Sequence, residues 1–261
     1  MQCLSPISVK DKNGKYVSAP CGRCYACLSN YRNSWTFRLM EENRKSLSSY
    51  FITLTYDDLL RNTYGNVDKK DCQDFLKRLR YYLDIKFKYY LVSEYGSKTF
   101  RPHYHALLFF RDSIDKDTVT DAIQKAWKYG FIQIGKAESA SIHYVTKYII
   151  RKSIDINGLL PTFTLMSKRP AIGIDYINSK KGYHNINNPY VTFEGGFKGV
   201  MPRYYKDKIY SDTEKRLIAE ANIYRKSDQD KYLEEHTQLE LFEKKQYLEK
   251  KKQKLLKSDS L

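Results

Sequence analysis

Between residues 51 and 152 the chain switches repeatedly between two periodicities, and this alternation restricts the fold more than any other feature. Phe51-Ile52-Thr53-Leu54-Thr55-Tyr56 is β-branched and aromatic, the composition of a strand. Residues 69–84 carry Phe75, Leu76 and Leu79 at helical spacing, with Lys77, Arg78 and Arg80 between them. Two further strands, Tyr89–Glu94 and Tyr104–Phe110, form a hairpin with a longish connection begun by Gly96. A helix over 115–129 follows, opened by Asp115 or Asp117 and closed by Gly130. Then come a short strand, Phe131–Ile134, and a third helix capped by Ser139 or Ser141 that runs to about Lys152. The order β-α-β-β-α-β-α predicts an α+β fold, a ferredoxin-like or RRM-like antiparallel sheet with helices on one face.

The flanks read differently. Residues 1–30 look irregular and hold four of the five cysteines, and 31–48 look helical, with Trp35, Leu39 and Met40 as packing residues. Residues 153–205 are loop-rich, punctuated by Pro161, Pro170, Pro189 and Pro202, and 206–257 are charged, helical in character and without proline or glycine. The expected division is a Cys-rich segment with its helix at 1–48, the central domain with its loop-rich extension at 49–205, and a charged helical tail at 206–261.

Within this frame two motifs carry chemistry. His103 and His105 are two residues apart on a strand, so both imidazoles face one way. Glu94 ends the partner strand of the hairpin, where folding brings a carboxylate beside them. Two imidazoles and one carboxylate with open positions suit Mg²⁺ or Mn²⁺ that must also grip a substrate oxygen. Tyr144 and Tyr148 are four apart on the third helix, so they share a face, and Lys147 is a cation beside them. A phenol is a weak nucleophile at neutral pH; a neighbouring cation favours phenolate, and a metal polarises the phosphate it attacks. Attack on a phosphodiester leaves a 5′-phosphotyrosine and a free 3′-OH, which stores the bond for rejoining. His143, His184 and His236 lack such partners and read as structural or surface residues.

Charge points to a polyanion. The net charge is +16, yet residues 206–261 hold 14 Lys/Arg against 12 Asp/Glu and contribute only +2, which leaves +14 in residues 1–205 with both motifs. The 24 tyrosines among these cations suit single-stranded nucleic acid, where bases stack and phosphates pair with cations. No segment reaches the roughly 18 apolar residues of a membrane helix, and Met1–Lys12 lacks the apolar run of a signal peptide, so a cytosolic location is expected. In that compartment Cys3, Cys21, Cys24 and Cys27 read either as a tetrahedral Zn²⁺ site that folds a coreless N-terminus, as reduced thiols, or as a redox group. Cys72, on the first helix of the central region, reads as a small packed residue.

Taken together, the phrases resemble a known family. Arg101-Pro102-His103-Tyr104-His105 resembles the metal-binding motif of HUH endonucleases, Phe51–Tyr56 its first strand motif, and Tyr144–Tyr148 its Tyr-x-x-Lys motif in the two-tyrosine form. "PCGRCYACLSNYRNSWTFRL", "SEYGSKTFRPHYHALLF", "YVTKYIIRK", "MSKRPAIG" and "MPRYYKDKIYSD", spread over residues 20–212, are similar to replication initiators of microviruses, the gokushovirus branch above all. The resemblance implies the HUH endonuclease fold and a site-specific nickase that starts rolling-circle replication in the host bacterial cytoplasm. It implies His103, His105 and Glu94 as metal ligands, Tyr144 and Tyr148 as alternating nucleophiles, and Lys147 as their lysine. Its partners would be single-stranded DNA and replicative-form origin DNA. A host helicase is implied as well, since the chain has no G-x-x-x-x-G-K-[ST] loop, and with it a host polymerase. Ser93 departs from the glycine that many relatives carry before Glu-Tyr-Gly. The competing readings are a non-catalytic single-stranded nucleic-acid-binding protein and a plasmid or transposon nickase on the same fold.

Overall fold

The structure, a computed structural model, describes residues 3–11, 14–59, 65–96, 99–151, 158–221 and 238–257. They fall into two compact units, Met1–Phe37 with Tyr176–Asp259, and Arg38–Asp175.

The N-terminal segment is more ordered than its sequence suggests. Strands β1 (Ile7–Lys10) and β2 (Tyr16–Ala19) pair antiparallel, with Val9 opposite Val17. Asp11 closes the turn by accepting from Lys15 N at 2.8 Å, and Gly14 takes the left-handed φ of +78° there. Helix α1 runs Tyr25–Arg44, so it begins six residues before the expected start and directly after Cys24. Trp35 and Leu39 are buried as expected and Met40 is half-buried, while Phe37 joins the buried set.

The Arg38–Asp175 unit is built on a five-stranded antiparallel sheet. Its strands are β3 (Ser48–Tyr56), β4 (Phe87–Tyr95), β5 (Pro102–Phe110), β6 (Gly130–Lys136) and β7 (Thr164–Met166), in the order β6-β3-β5-β4-β7. β7 was not expected; it lies in the loop-rich stretch and adds a short edge strand to β4. Ser93 stabilises that edge, since its Oγ accepts from Phe163 N at 2.8 Å.

Alternation sorts the strands into two faces. Ile52, Leu54 and Tyr56 on β3, Leu91 and Tyr95 on β4, and Tyr104, Ala106, Leu108 and Phe110 on β5 form one buried face. Helices α2 (Lys69–Leu83) and α3 (Lys116–Ala126) cover it with Phe75, Leu76, Leu79, Val119 and Ile123. Asp68 caps α2 by accepting from Lys70 N and Asp71 N, and Asp115 caps α3 by accepting from Thr118 N at 2.8 Å. Cys72 is fully buried in this core, as its reading required.

Two expectations are corrected here. α3 ends at Ala126 rather than 129, because Trp127 leaves the helix and its indole N–H donates to Thr55 O at 3.2 Å. Gly130 therefore opens β6 instead of closing α3; at φ +151° a Cβ there would lie 2.2 Å from Asp57 N, so only glycine permits this approach. The helices also occupy both faces of the sheet rather than one. Helix α4 (Ser139–Arg151) lies over the opposite face, against β4 and β5.

At the end of α1 the buried carboxylate of Glu42 accepts from Lys88 Nζ at 2.8 Å, Arg111 Nη2 at 2.6 Å and Gly173 N at 2.7 Å. Three donors satisfy a charge that would otherwise be expensive to bury.

In the other unit the chain continues through α5 (Asp175–Lys180), the hairpin β8 (Tyr190–Thr192) and β9 (Lys198–Val200), and α6 (Arg203–Ile209). Its core is aromatic: Phe37 meets Tyr176 edge-on at 5.0 Å, and Tyr176 stacks on Tyr205 at 5.0 Å. The charged tail has helical stretches at 212–221 and Gln238–Lys257; His236 lies outside the described residues.

Candidate functional site: the histidine–tyrosine face and the cysteine cluster

The face of the sheet turned away from α2 and α3 carries Phe51, Thr53 and Thr55 on β3, Glu94 on β4, and His103 and His105 on β5. Register fixes their neighbours. Thr53 pairs with His105, Thr55 with His103, and Glu94 with His103. Thr53 Oγ1 lies 3.0 Å from His105 Nδ1 and Thr55 Oγ1 lies 3.1 Å from His103 Nδ1. Each imidazole is thus held through the same nitrogen by a threonine of the next strand. The carboxylate of Glu94 reaches diagonally, with Oε1 2.9 Å from His105 Nε2.

Helix α4 brings both phenols onto this face. The Tyr148 ring stacks on the His105 ring at 5.7 Å and 11°, and Tyr144 meets it edge-on at 5.1 Å and 87°. The two tyrosines meet each other at 5.3 Å, as their spacing of four predicts. Phe51 also lies parallel to His105, at 5.7 Å. Lys147 Nζ sits 5.7 Å from the centre of the Tyr144 ring.

The two phenols differ in environment. Tyr144 is 37% exposed and Tyr148 only 3%. Burial, followed by the Glu94 carboxylate and the neighbouring Tyr144 phenol, pushes the Tyr148 hydroxyl well above the ordinary phenol range. Burial likewise pulls His103 below the usual histidine value, against the opposing pull of Glu94, which favours the neutral ring a metal ligand needs.

The sequence did not single out Thr53, Thr55, Phe51 or Gly96. The signal for the threonines was present, because Thr-x-Thr on β3 repeats the i, i+2 spacing of His-x-His on β5. Gly96 matters by what it lacks: a Cβ there would come 3.2 Å from His103 Nε2. His143, on α4, is exposed, and His184 is buried in the other unit, where Nε2 meets Tyr176 OH at 2.8 Å and Nδ1 meets Asn188 O at 3.1 Å.

In that unit the sulfur atoms of Cys3, Cys21, Cys24 and Cys27 all lie within 4.8 Å of one another. Among the described residues they are the set of three or more His, Cys, Asp or Glu donors gathered this closely; His103 stands further off from the His105–Glu94 pair. All four thiols are unbridged. Cys3 Sγ lies 3.9 Å from Cys24 Sγ, and backbone N–H groups point at the sulfurs: Leu4 at Cys24, Cys21 at Cys3, and Cys24 at Cys21. Hydrogen bonds from the Arg23 and Cys24 N–H groups lower the Cys21 thiol to about 6, whereas burial raises Cys27 to about 12.

The family model for the replication-associated protein ORF2, or gene 2 protein, matches residues 49–153, the stretch that holds the whole histidine–tyrosine face. The replication-associated protein VP4 of Bdellovibrio phage phiMH2K is 31% identical over 212 residues, 72% of this chain and 66% of that protein. The chain belongs to this replication-associated protein family of small phages. The replication-associated protein ORF2 of Spiroplasma virus 4 is 28% identical, with 76% of this chain and 71% of its own length covered. ORF4 of Chlamydia phage 1 is 27% identical, covering 77% of this chain and 54% of its own length. The chain therefore spans about two thirds of the first two relatives and about half of the third. No solved structure matches it. Among the described residues no helix is long and apolar enough to cross a membrane.

Proposed function

We propose that this phage replication-associated protein is a metal-dependent HUH nickase and strand transferase that starts rolling-circle replication of circular phage DNA. The packing of both α4 phenols against the imidazole of His105, with Glu94 alongside, is the observation that carries the reading. The strand order β6-β3-β5-β4, with crossovers through α2 and α3, supports a ferredoxin-like sheet beneath it.

The donor set fits a divalent cation such as Mg²⁺ or Mn²⁺. When each Nδ1–H donates to its threonine oxygen, each Nε2 carries the lone pair that a metal takes. The 2.9 Å between His105 Nε2 and Glu94 Oε1 suits adjacent ligands of an octahedral ion, which stand roughly 3 Å apart when each bond is about 2.1 Å. His103 is the third ligand, from the same face of β5. Bound there, the cation would polarise the scissile phosphate and offset charge as the bond breaks.

The residues of the chain perform the exchange itself. A phenolate oxygen attacks the scissile phosphorus, the P–O3′ bond breaks, and the 3′ oxygen gains a proton as the phenol gives one up. The products are a 5′-phosphotyrosine and a free 3′-OH, and rejoining is attack by a 3′-OH on that phosphotyrosine. Tyr144 is the phenol that an incoming strand meets first, with Lys147 over its ring to favour phenolate. Tyr148 holds its proton beside Glu94 and serves in the second exchange. The substrates are single-stranded and replicative-form origin DNA, and a host helicase and polymerase supply strand separation and synthesis.

The four cysteines fit structural zinc. Zn–S bonds of about 2.3 Å in a tetrahedron set sulfurs roughly 3.8 Å apart; Cys3 and Cys24 stand at 3.9 Å.

The decisive test is covalent capture. Wild-type protein incubated with origin DNA and Mn²⁺ is expected to give a protein–DNA adduct on a denaturing gel, and Tyr144→Phe/Tyr148→Phe to lower it by at least about 10³-fold. An adduct that survives the double substitution would remove the tyrosines from the reaction.

A further inference from the structure

A second basic feature lies elsewhere in the Arg38–Asp175 unit. A groove of about 800 Å³ runs between the end of α2, the start of β4, and β7 with the loop that follows it. Arg80, Lys86, Lys168 and Arg169 line it, and all four are exposed. Lys69 and Lys88 also line it, although Lys88 is held by Glu42, and Asp84 is the carboxylate among the described lining residues. Two aromatic rings, Phe87 and Tyr89, complete the wall.

The groove is separate from the tyrosine face. Tyr89 and Glu94 are five residues apart on β4, about 16 Å along an extended strand. By alternation Tyr89 also points to the side opposite Glu94. Nothing in the phosphodiester exchange uses these cations.

Its chemistry favours unpaired nucleic acid. The Arg80 guanidinium lies over both rings, 5.4 Å from the centre of each. A flat cation laid on aromatic rings offers its outer face to a base and its edge N–H groups to a phosphate. In a duplex the base faces are covered by neighbouring pairs, so a stacking wall selects single strands. Tyr81 and Tyr82 directly follow Arg80 on α2 and are 80% and 42% exposed, which adds aromatic surface on the same turn.

We propose that this groove is a second seat for single-stranded DNA, with Lys86, Lys168 and Arg169 on the sugar-phosphate backbone and Arg80 as the stacking plate. The inference rests on the reading of the chain as a DNA-processing protein and deepens it. A nickase that holds one end covalently gains from gripping a further stretch of strand away from the phenols.

The test measures the affinity of an oligo(dT) of about 30 nucleotides by fluorescence anisotropy over a salt series. Lys86→Ala/Lys168→Ala/Arg169→Ala leaves Arg80 and the rings intact. It is expected to weaken binding about 10-fold and to flatten the slope of log affinity against log salt by about 2, the share of three phosphate contacts. The charge-preserving Lys86→Arg/Lys168→Arg/Arg169→Lys is expected to keep the wild-type slope, which separates lost charge from lost fold. Unchanged affinity and slope in the alanine variant would overturn the proposal and leave the cations to an acidic protein surface. So would an equal loss in the charge-preserving variant. The covalent adduct reads independently. An adduct with an unchanged slope sinks the groove and spares the nickase, whereas a flattened slope without any adduct sinks the nickase and spares the groove.

Discussion

The chain gathers metal-ligand side chains in two places, and they are built on opposite plans. The cysteine cluster is closed: four donors of one type lie within 4.8 Å, with backbone N–H groups turned onto the sulfurs. The histidine–tyrosine face is open. It has two nitrogens and one carboxylate, threonines that hold the rings from behind, and phenols where further ligands would otherwise stand. A closed thiolate set spends every coordination position on the protein and can only hold the fold together, while an incomplete N/O set keeps positions for substrate. The difference teaches which cluster is scaffold and which is machinery.

The sharpest way to break this contrast is at the cysteines. Cys24→Ser is expected to abolish bound zinc, measured by intact mass under native conditions, and to open the stretch between Cys3 and Cys27 to protease. Cys72→Ser, in the core of the other unit, should keep the zinc; equal loss in both variants would deny the cluster its role.

Next in size is chelation. Brief EDTA treatment is expected to stop adduct formation while most of the affinity for single-stranded DNA and the tightly held zinc remain. Cutting that continues in chelator would take the histidine set out of the mechanism.

A subtler variant probes the threonines. Thr53→Val keeps the β-branched shape of β3 and removes the hydroxyl at His105 Nδ1. The Mn²⁺ concentration that half-saturates adduct formation should rise about 10- to 100-fold. A value equal to wild type would make Thr53 a packing residue only.

The smallest effect belongs to a histidine in neither cluster. Burial lowers the pKa of His184 below the ordinary 6.5. Between the folded and unfolded values the unfolded chain therefore binds more protons. The stability contributed by neutral His184 is complete above the unfolded pKa and is lost as pH falls through the folded one. Melting temperature should decline as pH drops below about 6.5, and His184→Gln should make that decline shallower. Parallel curves would place the acid sensitivity elsewhere.

Much of this was legible in one dimension. The β3, β4 and β5 runs, the two capped helices that cover them and the third helix on the opposite face announce themselves through periodicity and cap residues, because alternation and helical spacing are local properties. The i, i+2 histidines and i, i+4 tyrosines were visible for the same reason. The hairpin at Ile7–Ala19 was less so, since its strands are four residues each and exposed on both sides, which leaves no amphipathic pattern to read. β7 was hidden because an edge strand of three residues is defined by its partner β4 and hardly by its own composition.

By itself, then, the sequence determined which side chains share a face: His103 with His105, Tyr144 with Tyr148, and the apolar residues that alternate with them. Only the tertiary structure decided that α4 crosses the sheet on the histidine side, that Thr53 and Thr55 stand behind the imidazoles, and that four sulfurs spread over 25 residues meet at one point. The physical reason is range. Periodicity is set by backbone geometry within a turn or a pleat, whereas strand register and the side on which a helix packs are set by burial and pairing between residues far apart in the chain.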